Sequence, residues 1–328
     1  MIGLIVGGSI LIALLLFFFS CMLANHIVSN KIYGHRGDAS ISIKYLLPSD
    51  FPDLEVNRDY FLNNKKARLS VYEYKKKGVK PVGLVLFIHG IGGGHFYSLQ
   101  LINYLCERGL MVVAYDQYAS GTSEGKKIES MNQGAIDAKY AVKYIESHYK
   151  DLPFYVAGHS WGGYCAAQAL RYSKRIEKCV SIAGLDSESS MTSGPKFFAA
   201  VASIFVKLCG FTKYGKYSFY SQLGAFKKTS AKVLYLQGKE DLTVSPLKTG
   251  YRYQKALKNK PNINVVMLDK KGHSPIVTYD SQLAQGMIMS QFGMLGENLV
   301  PLDVYVDFAK NNVPDMDVFK MIGDFLIN

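Results

Sequence analysis

Apolar residues fall into two kinds of run along this chain. Residues 2–23, "IGLIVGGSILIALLLFFFSCML", are apolar almost without a break and carry no charge. As a helix they would measure about 33 Å, enough to cross the hydrocarbon core of a bilayer. The pattern therefore predicts a transmembrane anchor over residues 1–24. The other runs are short: "GLVLFIH" (83–89), "LMVVAYD" (110–116), "FYVAG" (154–158), "CVSIAG" (179–184), "KVLYLQG" (232–238) and "INVVMLD" (263–269). They are β-branched and apolar on both faces, as strands buried within a parallel sheet are. "RLSVYEYKK" (68–76) alternates instead and reads as an antiparallel strand. Helical patterns at 97–107, 133–148, 161–172 and 247–258 occupy the intervals, so strand and helix alternate as in an α/β sheet covered on both faces.

Residues 25–55 are polar and mixed, which predicts a membrane-proximal stalk ahead of an α/β domain over 56–328. A cleaved signal peptide is the competing reading of the first run. Against it stand the missing basic leader, the length of the run and the lack of a small-x-small cleavage site. Lys31, Arg36 and Lys44 follow the run and no Lys or Arg precedes it, so the positive-inside rule places the domain in the cytoplasm. Cys21 lies in the run, while Cys106, Cys165, Cys179 and Cys209 sit in apolar surroundings without framework spacing, as reduced thiols do.

The chain holds 38 Lys and Arg against 26 Asp and Glu in 328 residues, a formal charge of +12. It has no zinc-spaced Cys/His set, RNA-binding signature or leucine heptad, so nucleic acid is not the expected partner. Part of the basic excess lies in one overlong connection, residues 185–231, whose "PKFFAAVASIFVKLCGFTKYGKYSFY" interleaves lysines with aromatics. Connections of this length in compact domains are commonly lids. A basic, aromatic cap could cover an apolar substrate and touch anionic lipid headgroups. Alternatively the aromatics form a small core of their own and the lysines are solvated.

The chemistry centres on "FYVAGHSWGG" (154–163). Gly-x-Ser-x-Gly between a buried strand and a helix is a nucleophile elbow, a turn so tight that small residues flank the serine. Ser160 needs a base to take its proton and an acid to orient that base, expected in the order serine, acid, histidine. Of seven histidines, His273 lies in "DKKGHSP" just beyond the last strand run, and Asp241 follows "YLQGKE" just beyond the one before it. Glu240, Asp186 and Asp269 are rival acids, and helix capping is the alternative role for Asp241. "FIHGIGGGH" (87–95) ends another strand in glycines that let backbone N–H groups approach a ligand. The expected oxyanion donors are the Trp161 N–H and an N–H from this loop, Ile91 foremost and Gly92 next. Gly92, His159, Phe197 and Phe198 are the expected substrate contacts. The triad requires neither metal nor cofactor.

"HGIGG", "DQYASGTSEG" (116–125), "GHSWGG", "GKEDLTV" and "GHS" together resemble the α/β-hydrolase superfamily over roughly residues 65–328. Within it they are similar to the serine aminopeptidase-like group that includes monoacylglycerol lipases and lysophospholipases. That group usually reads Asp-x-Arg-Gly-His-Gly-x-Ser-x-Gly in the second segment. Here Asp116, Gly121, Ser123 and Gly125 fit, but Tyr118, Ala119 and Ser120 stand where Arg, Gly and His are usual. The resemblance implies a hydrolase fold with an inserted helical cap. The expected function is a membrane-anchored serine hydrolase of a carboxylic ester, such as a monoacylglycerol or lysophospholipid. An acyltransferase, a serine peptidase and a noncatalytic membrane scaffold are the alternatives. Residues 275–302 exceed the length expected between the histidine and a last helix, and no role is assigned to them.

Overall fold

In a computed structural model, which describes residues 2–38, 43–284 and 306–328, the short apolar runs assemble into one eight-stranded sheet. Its strands are β2 (Leu54–Leu62), β3 (Arg68–Lys76), β4 (Gly83–Ile88), β5 (Leu110–Tyr115), β6 (Phe154–His159), β7 (Ile176–Ile182), β8 (Lys232–Gly238) and β9 (Ile263–Leu268). They lie in the order β2-β3-β5-β4-β6-β7-β8-β9. The β2–β3 and β3–β5 pairings are antiparallel and every other pairing is parallel. β2 was not anticipated. Its middle is exposed, so it lacks the apolar run that marks the central strands. A separate two-residue parallel pair joins β1 (Ile43–Lys44) to β10 (Val306–Asp307).

Helices cover both faces. α2 (Leu99–Glu107) and the C-terminal helix Met316–Ile327 pack on one, where Ile102, Leu105, Phe319 and Ile322 join Val85, Phe87 and Leu234 in one core. On the other face α3 (Met131–His148) and α4 (Trp161–Ala169) bring Val142, Ile145, Trp161 and Tyr164 against Leu86, Ile88 and Val156. α7 (Gly250–Ala256) contributes Tyr253 to the same core.

The overlong connection divides in two. α5 (Lys196–Tyr214) exposes Phe198, Ile204 and Phe211, whereas α6 (Gln222–Lys228) buries Leu223 and Phe226 in the core. Gln222 Nε2 donates to the Gly163 carbonyl at 3.0 Å and to Ser181 Oγ at 2.6 Å, tying α6 to the sheet. The projecting part of the expected 185–231 cap therefore ends before α6, and Phe226 is a core residue rather than a cap aromatic.

The first run is helical, but α1 spans Ile2–Tyr33 rather than stopping near residue 23. Thirty-two residues at 1.5 Å each give about 48 Å. Two described segments, one within α1 and one beginning at Lys196, are long and apolar enough to cross a membrane. The expected free stalk over 25–55 is instead largely attached. Tyr33 is buried in the core, and the Glu129 and Ile128 N–H groups donate to the Tyr33 and His35 carbonyls at 2.9 and 3.0 Å. The Gly37 N–H donates to the Ala119 carbonyl at 2.8 Å. Polar residues make the end of α1 look like a tether, yet the backbone of Tyr33 and of the residues just after it hydrogen-bonds to the domain. The unassigned stretch 285–302 lies outside the described residues.

Candidate active site

Ser160 sits between β6 and α4 with φ 57° and ψ −120°, a conformation that costs a non-glycine residue about 1–3 kcal/mol. Packing holds it there. A Cβ on Gly162 would lie 1.9 Å from the Ile88 carbonyl oxygen, and one on Gly158 would lie 2.3 Å from that of Gly162. Both glycines are steric requirements of the turn. The Ser160 N–H donates to the Ile182 carbonyl at 2.8 Å, anchoring the elbow to the neighbouring strand.

The ends of β8 and β9 supply the partners. β8 pairs with β9 up to Gly238, where an added Cβ would fall 2.2 Å from both the Lys271 and Gly272 carbonyl oxygens. The loops carrying residues 241 and 273 are thus in backbone contact. His273 Nε2 lies 2.8 Å from Ser160 Oγ, and His273 Nδ1 lies 2.9 Å from Asp241 Oδ2. Asp241 is only 3% exposed and is well solvated by the protein. Its Oδ1 accepts from the Thr243 and Val244 N–H groups at 2.8 Å each, and its Oδ2 accepts from Gln237 Nε2 at 2.7 Å. A carboxylate so supplied stays an acceptor, which leaves His273 Nδ1 as the donor and Nε2 free to accept the serine proton. The rivals are engaged elsewhere: Asp186 accepts from Tyr253 Oη and Arg252, and Asp269 pairs with Lys239 at 2.6 Å. No helix begins at Asp241, so the helix-capping role expected as its alternative is not the one it fills; its bonds to Thr243 and Val244 close a turn.

The loop after β4 abuts the elbow. A Cβ on Gly90 would lie 3.4 Å from Ser160 Cβ, so the Ile91 peptide begins beside the serine. The N–H groups of Ile91 and Trp161 have no hydrogen-bond acceptor among the described residues. Trp161 opens α4, where an N–H has no intrahelical partner. Its indole is buried and donates to the Met131 carbonyl at 3.0 Å, fixing the helix end against α3. Gly92 adopts φ 87° beside open space.

Two histidines that sequence reasoning set aside or misassigned brace this frame. His89 Nδ1 donates to the Gly90 carbonyl at 2.6 Å while Nε2 accepts from the Gln117 N–H at 2.9 Å, so both nitrogens hold the loop. Burial lowers its pKa. His159, expected to touch substrate, instead donates from Nε2 to the His273 carbonyl at 2.8 Å. Burial, with the neighbouring His273, brings its pKa down to about 4. Phe197 and Phe198 are also corrected: they are 73% and 68% exposed at the start of α5 and make their ring contact with each other.

In the 116–125 segment, Asp116 is fully buried. Burial alone would raise its pKa, but the hydrogen bond and charge of His95, 2.8 Å away, bring it well below the usual carboxylate range. A guanidinium does reach the following loop, from Arg36. It donates to the Gly121, Ser123 and Gly125 carbonyls at 2.9, 3.1 and 2.5 Å and pairs with Asp38. Only its place among the positive charges after the apolar run marked Arg36, since no local pattern ties it to a loop so distant in sequence.

The arrangement matches known proteins in its fold. Solved structures include an esterase of Pyrococcus furiosus, 19% identical with a TM-score of 0.57, covering 78% of this chain and 97% of that one. This is an α/β-hydrolase fold. Residues 79–217 of this chain match the family model described as serine aminopeptidase, S33. An uncharacterized abhydrolase domain-containing protein of Dictyostelium discoideum is 29% identical over 140 residues, 41% of this chain and 14% of that one. A probable aminopeptidase of Bacillus subtilis is 32% identical over 98 residues, 27% of this chain and 29% of that one. The chain thus spans less than a third of the length of these two relatives.

Proposed function

We propose that this protein is a membrane-anchored serine hydrolase that cleaves a carboxylic ester with an apolar acyl group. The observation that carries the reading is the hydrogen-bonded line from Ser160 Oγ through His273 to Asp241, at 2.8 and 2.9 Å. Ser160 Oγ attacks the acyl carbonyl as His273 Nε2 takes its proton, and Asp241 steadies the imidazolium. The Ile91 and Trp161 N–H groups receive the charge that develops on the carbonyl oxygen. His273 then returns the proton to the leaving alcohol, and water, activated by the same histidine, releases the acid. Structural likeness to esterases supports ester chemistry. The apolar faces of α1 and α5 support a lipid substrate such as a monoacylglycerol or lysophospholipid.

A second reading, a serine peptidase, has the family model and the aminopeptidase relative in its favour. A panel of p-nitrophenyl esters and aminoacyl anilides separates the two by comparing kcat/KM. The triad itself is tested by a fluorophosphonate, with the adduct mapped by mass spectrometry. Label is expected on Ser160, with Ser160→Ala unlabelled and ester turnover falling by about 10⁶-fold. Absence of label on the folded wild-type protein would remove the proposal.

A further inference from the structure

α1 and α5 run side by side in the same direction. Phe17 and Phe18 meet Phe205 with ring centroids 6.3 and 5.5 Å apart, and one turn further Met22 Sδ lies 3.1 Å from Cys209 Sγ. Both helices line a cavity of about 420 Å³ together with the domain. That volume is in the range of small-molecule sites. Ser160 and His273 are not among its walls.

The cavity's chemistry is divided. Met22, Val28, Ile32 and Val206 give it an apolar side continuous with the exposed faces of α1 and α5. Asn25, His26, Ser29 and Asn30 line it from the same helix, spaced so that they share one face. Their grouping there is notable because the twenty-odd residues before them are apolar. Polar side chains at the edge of a bilayer need polar company, and a cavity supplies it.

The facing wall comes from the domain. Glu188 Oε2 accepts from Ser130 Oγ and Asn132 Nδ2 at 2.5 and 2.7 Å, and Glu129 is held between Lys65 and Lys213 at 2.9 and 2.6 Å. Burial raises the Glu188 pKa to about 7, against the opposing pull of the Ser130 hydrogen bond. Among the lining residues Lys127 and Lys213 stand against Glu129 and Glu188, and Lys127 is exposed at the rim. Neither sign dominates, so a strongly anionic group would find little surplus to pair with.

We propose that this cavity binds the polar head of a lipid carrying no net charge, whose chain leaves between α1 and α5 into the bilayer. The proposal rests on the reading of α1 as membrane-embedded. The site adjoins the reaction centre without being part of it, since Ser130 caps α3 and the next residue, Met131, holds the Trp161 indole. α1 would thus serve as one wall of a lipid site as well as an anchor.

The probe is a 1-O-alkylglycerol with a diazirine on the alkyl carbon nearest the head, used on the full-length protein in detergent. Its ether cannot be cleaved by an esterase, so the result is independent of hydrolysis. Adducts are expected on residues 22–33 and 206–214. Unlabelled alkylglycerol or alkylphosphocholine should compete about tenfold better than alkyl phosphate, a difference of about 1.4 kcal/mol. Ser29→Trp and Val206→Trp, which fill the cavity from its two helices, should each cut adduct yield about tenfold, with melting temperature as the check on folding. Adducts spread along residues 2–20 or lying elsewhere, or preferential competition by alkyl phosphate, would overturn the proposal. Should either variant fail to fold, the wild-type adduct map still decides. Flotation with vesicles reads the anchor, and fluorophosphonate labelling reads the hydrolase, so failure of either is seen separately.

Discussion

The elbow and the cap differ most plainly in what one extra carbon would meet. At Gly162 it would strike a backbone oxygen 1.9 Å away, whereas at Gly194 and Gly215, which flank α5, it would meet nothing within 4 Å. The serine turn is fixed by backbone against backbone inside a parallel sheet. The cap is attached by side chains and by its seam with α1. A strained backbone persists only where its surroundings leave it no alternative, while a loosely flanked surface helix has room to shift.

The sharpest test of that contrast is Asp241→Asn, expected to lower kcat by about 10⁴-fold because the amide would favour the wrong His273 tautomer. A loss below tenfold would show that the buried line is not what activates Ser160. Next comes Gly162→Ala, expected to cost more than about 4 kcal/mol in denaturant unfolding, against about 0.5 kcal/mol for the exposed Phe198→Ser in detergent. Equal losses would break the comparison between the two regions.

His159 gives a pH-dependent test. Its folded pKa is lowered to about 4 from a usual value near 6.5, so the unfolded chain binds the extra proton between those limits. Its contribution is fully retained above pH 6.5 and is lost as pH falls toward 4, by up to about 3 kcal/mol. Glu188, with its pKa raised to about 7, slopes the opposite way across much of that window. The measurement is therefore the difference between wild type and His159→Gln from pH 4 to 7, in which the wild type should lose stability faster on acidification. The smallest expected effect is Arg36→Ala. Loss of its charged hydrogen bonds to three partly exposed carbonyls should cost about 1–2 kcal/mol and slow fluorophosphonate labelling severalfold. Arg36→Lys should not restore the rate, since an ammonium lacks the planar fork that spans several acceptors.

What could be read in advance follows from how far each signal extends along the chain. The strands from β4 to β8 are largely buried and announce themselves as apolar runs, the partly exposed edge strand β9 keeps an apolar run as well, and Ser160 is marked by glycines whose need is steric and local. β2, half exposed at an edge, carries no such run. The continuation of α1 to Tyr33 was hidden because its second half is polar on the side that meets the domain. Phe197 and Phe198 look like pocket residues by composition, but composition does not say which way a helix faces.

The sequence by itself determined the α/β alternation, the elbow at Ser160, the positions of His273 and Asp241, and an N-terminal helix apolar enough for a membrane. Each is a short-range pattern whose physical requirement lies within a few residues. Only the tertiary structure decided that Asp241 rather than Asp186 faces His273, that His159 braces a backbone carbonyl, that Arg36 closes on the 121–125 loop, and that α1 lies along α5. These depend on which strand ends and helix faces meet across long separations, and such meetings are set by how the whole chain packs.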